Sequence, residues 1–459
     1  MKLAKSLTLA AMSLGYGVVQ LDVTIVNTAL NSIGTALGGG VSELQWIVSI
    51  YTVAFAALIL TAGALGDRIG AKKVFMAGFA MFTAASLACA LAPQMSILIA
   101  GRALQGVGAA ILVPNSLALL NHAYPDEKDR GRAVGIWAAG ASLALTTGPL
   151  AGGALITLAG WRSIFLVNLP IGLAGLWLTW RYAEETTRSA RRELDLTGQG
   201  LAIGALGCLA AAMIEGGALG WYSPWVLAAF GIAALLAALF VLQESRARQP
   251  MLPLALFRLP LFSLMSLAGL FVNVAFYGLI FVLSLYLQQI NGLAPFATGL
   301  AFLPMMAAVL PANLLAPALS ERYGATAVVA IGATVAAAGC IGLLVIARGT
   351  SYWAICAQLL AMGWGLGLLV PPLTSTLLGS VAKSRSGLAA AVLNSARQTG
   401  SVVGVSLFGS LVGHAHAFIR GAHEALVIST VLLVGTALAT VVFSKDAGIP
   451  RRSSASAAR

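Results

Sequence analysis

Gly63-Ala64-Leu65-Gly66-Asp67-Arg68-Ile69-Gly70-Ala71-Lys72-Lys73 packs four charges and three glycines into eleven residues, between apolar runs at 44–65 and 74–92. Each flanking run is close to the length of about 20 residues that crosses a bilayer as one helix. The stretch is therefore a tight polar turn joining two spanning helices. A second copy stands 254 residues on, at Ser320-Glu321-Arg322-Tyr323-Gly324-Ala325, between runs at 295–318 and 326–347.

The rest of the chain continues this pattern. Of its 459 residues 59 % are apolar and 9 % charged, and the mean hydropathy is +0.91. A soluble domain carries about 25 % charged residues, so a water-soluble fold is excluded. Fourteen spans are expected, at 8–32, 44–65, 74–92, 96–120, 132–157, 162–181, 196–217, 222–244, 261–290, 295–318, 326–347, 351–378, 387–412 and 425–444. The fold class is thus an all-α integral membrane protein. Met1–Val19 starts basic and then apolar, like a secretory signal, but the run continues past Asp22 to Ile33 without a small-residue cleavage site and reads as the first span. Cys89, Cys208, Cys340 and Cys356 all lie inside apolar runs, where a lone cysteine acts as a small hydrophobe; no disulfide framework is implied.

An even number of spans puts both chain ends on one side. Of the 27 Lys and Arg residues, 22 then fall on that side, three (Arg162, Arg348, Arg420) on the other and two (Arg102, Arg397) within helices. Basic residues collect on the cytoplasmic side, so both termini are expected in the cytoplasm, with the chain in the cell's inner (plasma) membrane. The same asymmetry accounts for the net charge of +12 without a nucleic-acid partner, because the basic residues occupy short gaps and form no folded patch.

Three self-matches share nearly one offset. The two turns are 254 residues apart, Gly131 to Gly153 matches Gly387 to Gly409 at 256, and Gly106, Gly108, Val113 and Pro114 match Gly363, Gly365, Val370 and Pro371 at 257. Spans one to six therefore repeat as nine to fourteen. The expected organisation is a six-helix bundle at 1–181, two inserted helices with linkers at 182–260, a second six-helix bundle at 261–444, and a cytoplasmic tail at 445–459. Two halves related about the membrane normal, with a site between them at mid-depth, is the plan of a rocking transporter. The inserted pair has no repeat partner and is expected beside the bundle, away from its central cavity.

The Gly-x-Leu-x-Asp-Arg-x-Gly spacing at 63–70 resembles the loop motif of the major facilitator superfamily, with Ala71 where a basic residue is usual. Leu21-Asp22-Val-Thr24-Ile-Val-Asn27-Thr-Ala29-Leu30 is similar to the first-helix motif of its fourteen-helix drug:proton antiporters, with Asn31 in place of the usual proline. Gln45-Trp46 with Tyr51, the set Arg102, Gln105, Gly106 and Gly108, and Thr147-Gly148-Pro149-Leu-Ala-Gly152-Gly153 also fit that family, as does Glu215-Gly216 with Trp221. The resemblance covers essentially the whole chain. It implies the major facilitator fold, with Asp67, Arg68 and Gly70 latching the halves on the cytoplasmic side in the outward-facing state. Gly148, Pro149, Gly152 and Gly153 would form the antiporter motif of helix five.

A carboxylate inside a spanning helix is costly and is a functional candidate by default. At about 1.5 Å per residue, Asp22 lies on the order of 12–16 Å below the outer end of the first span, and Arg102 roughly 9 Å below the same face. The two are expected to pair or exchange partners in proton coupling. Arg397, with no acid at comparable depth in the second half, leaves open a contact to backbone carbonyls or substrate and a packing bond between helices. Glu215, near the outer end of helix seven, is expected to reach water and is the secondary candidate. Asn27, Trp46, Tyr51, Gln105, Trp137, Tyr277 and Arg397 are the expected cavity residues, its rings suited to flat or cationic molecules. His414, His416 and His423 have a metal-like spacing, but with only Glu424 nearby they read as a solvated loop, and no metal is expected.

No cytoplasmic gap exceeds about fifteen residues or gathers a nucleophile, acid and base, and no phosphate-binding loop would use ATP, so neither an enzyme nor an ATP-driven pump is expected. The expected function is a proton-driven exporter of hydrophobic or cationic small molecules. It would need no cofactor beyond the gradient, act as a monomer, and have substrate, protons and lipid as its partners. A facilitator-type metabolite permease or uptake symporter on the same fold is the alternative.

Overall fold

With no water inside a bilayer, a spanning backbone must satisfy its own N–H and C=O groups, which a helix does within one segment. The computed structural model describes residues 2–187, 195–247, 249–382, 385–413 and 417–446, and no strand occurs among them. Its long helices are α1 Lys2–Leu37, α2 Val41–Ile69, α3 Ala71–Leu91, α4 Met95–Ala123, α5 Glu127–Ala159, α6 Ser163–Tyr182, α7 Leu196–Leu219, α8 Pro224–Arg246, α9 Pro260–Ile290, α10 Pro295–Tyr323, α11 Ala325–Val345, α12 Tyr352–Gly379, α13 Ser386–Val412 and α14 Phe418–Asp446. Local sequence sets many of the starts. Asp126 accepts from the backbone of Lys128 and Asp129, Asp195 accepts from Gly198, and a proline opens α8, α9 and α10, where its missing N–H costs nothing.

Each of the fourteen expected spans corresponds to a long helix, and one of them is unusually polar. Thirteen of the described helices are long and apolar enough to cross a membrane; α13 has the length, 27 residues, but contains Arg397, Gln398 and five serines. Its surroundings explain the tolerance, because α13 packs on α2, α7, α9 and α14 and meets helices where a lipid-facing span would meet acyl chains. Helix ends also differ from the apolar runs. α1 continues unbroken through Asn31 to Leu37, and α14 starts at Phe418 and reaches into the expected tail, of which 447–459 lies outside the described residues. A helix runs on where water solvates its polar side chains, so the end of an apolar run is not the end of the helix.

The internal repeat is visible in the packing. In the first half α1 packs on α4, α5 and α6, α4 on α2 and α3, and α3 on α6. Adding eight to each number gives the contacts of the second half: α9 on α12, α13 and α14, α12 on α10 and α11, and α11 on α14. The two matching turns bend at glycine with φ 109° at Gly70 and φ 90° at Gly324, a conformation that residues with a Cβ avoid.

The halves meet along α2 with α13 and along α5 with α10. Both seams are tight near the face opposite the chain ends. A Cβ on Gly153 would lie 2.5 Å from the Pro295 carbonyl oxygen, one on Gly299 2.5 Å from that of Pro149, and one on Gly409 2.5 Å from the Gln45 side chain. Gln45 Nε2 also donates to the carbonyls of Val405 (3.1 Å) and Ser406 (2.6 Å). Toward the face holding the chain ends the seams part around a cavity of about 460 Å³, with Asp67 and Arg385 at its mouth and Trp137 and Asn394 deeper in.

The inserted pair is peripheral. α7 covers the seam between α2 and α13, where Gln199 bonds Thr61 and donates to the Ala57 carbonyl at 2.9 Å, and α8 packs on α7. Trp225, Leu227 and Leu235 of α8 are exposed, an apolar surface suited to lipid. Of this segment Asp195 and residues 249–251 reach the cavity mouth.

Candidate functional site

Asp22 and Arg102 form a fully buried ion pair. Taking two charges out of water is expensive unless further hydrogen bonds satisfy them, and here they do. Besides Arg102, Asp22 accepts from Gln105 Nε2 (3.3 Å) and Asn168 Nδ2 (3.1 Å) at Oδ1. The guanidinium also donates to Gln105 Oε1 (2.8 Å) and the Ile47 carbonyl (3.1 Å), and lies 4.3 Å from the centre of the Tyr51 ring. Ser86 Oγ accepts from Gln105 (2.7 Å) and Asn168 (3.3 Å), which closes the network. The carboxylate comes from α1, its cation from α4, and its other supports from α3, α4 and α6. A shift of α1 against α4 therefore changes the contact between the two charges.

Asp22 lies fifteen residues before the end of α1, about 22 Å along the axis, deeper than the run of 8–32 implied because the helix continues to Leu37. Helix stagger brings it level with Arg102. Ser86 and Asn168 were not legible as members of the site: a serine and an asparagine in apolar runs carry no charge signal, and only the folded contacts single them out.

The expected cavity residues divide. Trp137 lines the cavity, stacks on Tyr16 (centroids 4.3 Å apart) and donates to Ser116 Oγ at 3.1 Å. Arg397 is half-buried one turn beyond Asn394 and donates to Thr374 Oγ1 at 2.8 Å; Tyr277 lies within electrostatic reach of it. The other four are elsewhere in this conformation. Tyr51 and Gln105 belong to the Asp22 network, because Arg102 turns toward them. Trp46 sits on the α7 side of α2, where its Nε1 donates to Glu215 at 3.0 Å, beside a separate cavity of about 400 Å³. Asn27 is buried between α1 and α9, its carbonyl accepting from Ser284 Oγ (2.7 Å). Glu215 is thus bonded to Trp46, a partner that sequence reading did not supply.

Among the conformational motifs, Gly148 and Gly152 let α5 approach α1: a Cβ would lie 1.9 Å from Thr24 Oγ1 and 2.4 Å from Thr28 Oγ1, respectively. Gly153 and Pro149 face α10. At the opposite end Arg68 is exposed, and Gly70 leaves room for Glu185, which accepts from the backbone of Lys72 (2.8 Å) and Lys73 (3.3 Å) at the start of α3. An anion there suits the helix dipole. His423 Nε2 contacts the Ile346 carbonyl at 2.8 Å, while His414 and His416 lie outside the described residues.

The sequence profile of the Major Facilitator Superfamily matches residues 12–405 and, a second time, 265–458, so that the second match begins with the second half. The chain is 39 % identical to a methylenomycin A resistance protein of Streptomyces coelicolor, over 87 % of this chain and 84 % of that one. It is 38 % identical to the multidrug resistance protein Stp of Mycobacterium tuberculosis, over 88 % of this chain and 75 % of that one. Among solved structures it resembles a bacterial homologue of the human lysosomal transporter Spinster in an inward-facing, unoccupied conformation, with a TM-score of 0.66 and 19 % identity over 97 % of this chain and 99 % of that one. At that identity the likeness speaks for the fold. The chain is a multi-pass membrane transporter, not an enzyme, and belongs to the Major Facilitator Superfamily.

Proposed function

We propose that this protein exports drugs or other small molecules with an apolar body, in exchange for protons, by alternating access. The observation that carries the reading is the Asp22 carboxylate, fully buried in the first half yet held only by side chains that a helix shift can separate. Two relatives named for drug resistance support the direction of transport. On this reading the face holding the chain ends is cytoplasmic, as the basic residues favour, and the structure is the inward-facing state.

The cycle follows from the contacts. With the cavity open to the cytoplasm, Asp22 keeps Arg102 and the cavity receives substrate. When the halves rock, the tight glycine seams at the outer face part. In that state Asp22 exchanges part of its hold on Arg102 for a proton, substrate leaves, and the protonated carrier returns to the inward-facing state, where Asp22 regains Arg102 and gives up the proton to the cytoplasm. Coupling requires that substrate and proton favour different states, since a ligand shifts a conformational equilibrium only by its difference in affinity. The proton gradient is the sole energy source and no cofactor takes part. Both halves and a whole cavity lie in one chain, so a monomer suffices in the inner (plasma) membrane. The two bundles carry transport and the inserted pair braces them.

The test is a drug-susceptibility panel in an efflux-deficient host, comparing the wild type with Asp22→Asn at matched membrane levels. Protection against at least one compound by the wild type, and none by Asp22→Asn, is the expected result. Equal protection by both, or protection by neither, contradicts the proposal.

A further inference from the structure

Arg397 is a guanidinium in the middle of the bundle with no carboxylate to meet it. Beside it on α13, Ser395 Oγ donates to the Ala56 carbonyl of α2 at 3.1 Å, which places this level at the seam between the halves. Its hydrogen-bond partner is the Thr374 hydroxyl, and no acid pairs with it among the described residues. Composition explains the absence. Residues 261–444 contain two acids: Glu321 near the end of α10, and Glu424, which pairs with Arg420. In the first half, Asp22 is already taken by Arg102. Two acids stand at the cavity mouth: Asp67, eleven residues further along α2 than Ala56 and about 16 Å away along the axis, and Asp195, which caps the start of α7.

A charge at this depth is retained where it faces a partner or a cavity. The cavity comes within a turn of Arg397, at Asn394, and its wall is Trp137 stacked on Tyr16. Tyr16 and Tyr277 both lie within electrostatic reach of Arg397, and Phe276 packs edge-on to Tyr277 at 5.0 Å. One uncompensated guanidinium therefore lies a turn beyond the inner lining of the cavity, with two phenols within electrostatic reach.

Resting on the export reading, we infer that the molecules this site takes are organic anions: a carboxylate, or a comparable delocalised anion, on a flat apolar body. The guanidinium fork matches a carboxylate with two parallel hydrogen bonds, and the rings cover the apolar part. The same arrangement disfavours cations, because the uncompensated charge of Arg397 repels one. The expectation of cationic substrates, drawn from the aromatic residues alone, is replaced on this point.

The test uses purified full-length protein and three probes of one shape: 2-naphthoate, its methyl ester and (2-naphthylmethyl)trimethylammonium, with binding measured by equilibrium dialysis. The wild type is expected to bind naphthoate at least tenfold more tightly than either other probe. Arg397→Gln should bring the acid and ester within about twofold of each other, and Arg397→Lys should keep a preference for the acid. Size-exclusion and thermal-melting profiles check that each variant is folded. If Arg397→Gln does not fold, the wild type and Arg397→Lys still decide. Equal affinity for acid and ester in the wild type, tighter binding of the cation, no binding of naphthoate, or a preference that survives Arg397→Gln overturns the inference. Protein that binds naphthoate selectively but moves none of it on an imposed proton gradient would refute the export reading and leave the anion site standing.

Discussion

Gly153→Ala adds a single methyl group at the crossing of α5 and α10, and the structure sets what it must displace. The new Cβ would lie 2.5 Å from the Pro295 carbonyl oxygen and 2.8 Å from the Phe296 Cα, about 0.9 Å inside ordinary contact with the first. Both are backbone atoms, so no rotamer change relieves the overlap; α5 and α10 must separate. Overpacking of this kind costs about 1–3 kcal/mol. Because the contact joins the two halves, the cost falls on the state in which the outer face is closed and largely spares the folding of each half. At about 1.4 kcal/mol per tenfold, the ratio of closed to open outer face should fall between about fivefold and 150-fold. Gly135→Ala is the matched control, on the same helix with nothing within 4 Å of its would-be Cβ. It shares the gain in helix propensity of up to about 1 kcal/mol, which then cancels in the comparison. The assay is a spin-label distance between cysteines at the exposed positions Leu158 of α5 and Leu300 of α10, in a background without the four native cysteines. Gly153→Ala should move weight to longer distances and Gly135→Ala should not. Identical distributions in wild type and Gly153→Ala would refute the assignment of this crossing as the outer gate.

Arg102→Met should lower thermal stability by about 3–5 kcal/mol, since removing one member of a buried pair strands the other; adding Asp22→Asn should recover part of the loss, and an equal loss in single and double variants would show that the charges do not act together. Gly70→Ala forces a Cβ onto φ 109° and within 2.5 Å of the Glu185 carboxyl carbon, so a loss of about 1–3 kcal/mol in melting experiments is expected; an unchanged melting point would mean that the turn relaxes freely. Tags within 188–194 and after Arg459 should be reachable only from the cytoplasm and one near His416 only from outside, and a cytoplasmic signal at His416 would overturn the orientation.

The turns, the repeat and the glycines of α5 were readable because each has a local cause: a polar break between apolar runs, or a small residue at a close approach. The Asp22–Arg102 pairing was also within reach, because two charges at overlapping depth in an apolar setting have few alternatives. Apolar runs carry no information about which helix a given face meets. That is why Tyr51 and Gln105 were assigned to the cavity when they support Arg102, and Trp46 when it bonds Glu215. Asn168 and Ser86 stayed hidden because uncharged polar residues on helices are common and most bond their own backbone. α13 is legible as the span at 387–412 despite its polar residues, which its neighbours shield from lipid.

The central claim is that Asp22 carries the proton that drives export. It is tested most directly in proteoliposomes with an imposed pH gradient, by following accumulation of a compound to which the wild type confers resistance. Gradient-driven accumulation by the wild type is expected to drop to the protein-free level with Asp22→Asn, while exchange of labelled for unlabelled substrate without a gradient persists, because Asn keeps the shape of the site and removes its charge. Accumulation by Asp22→Asn at the wild-type rate would contradict the account and place the proton carrier elsewhere.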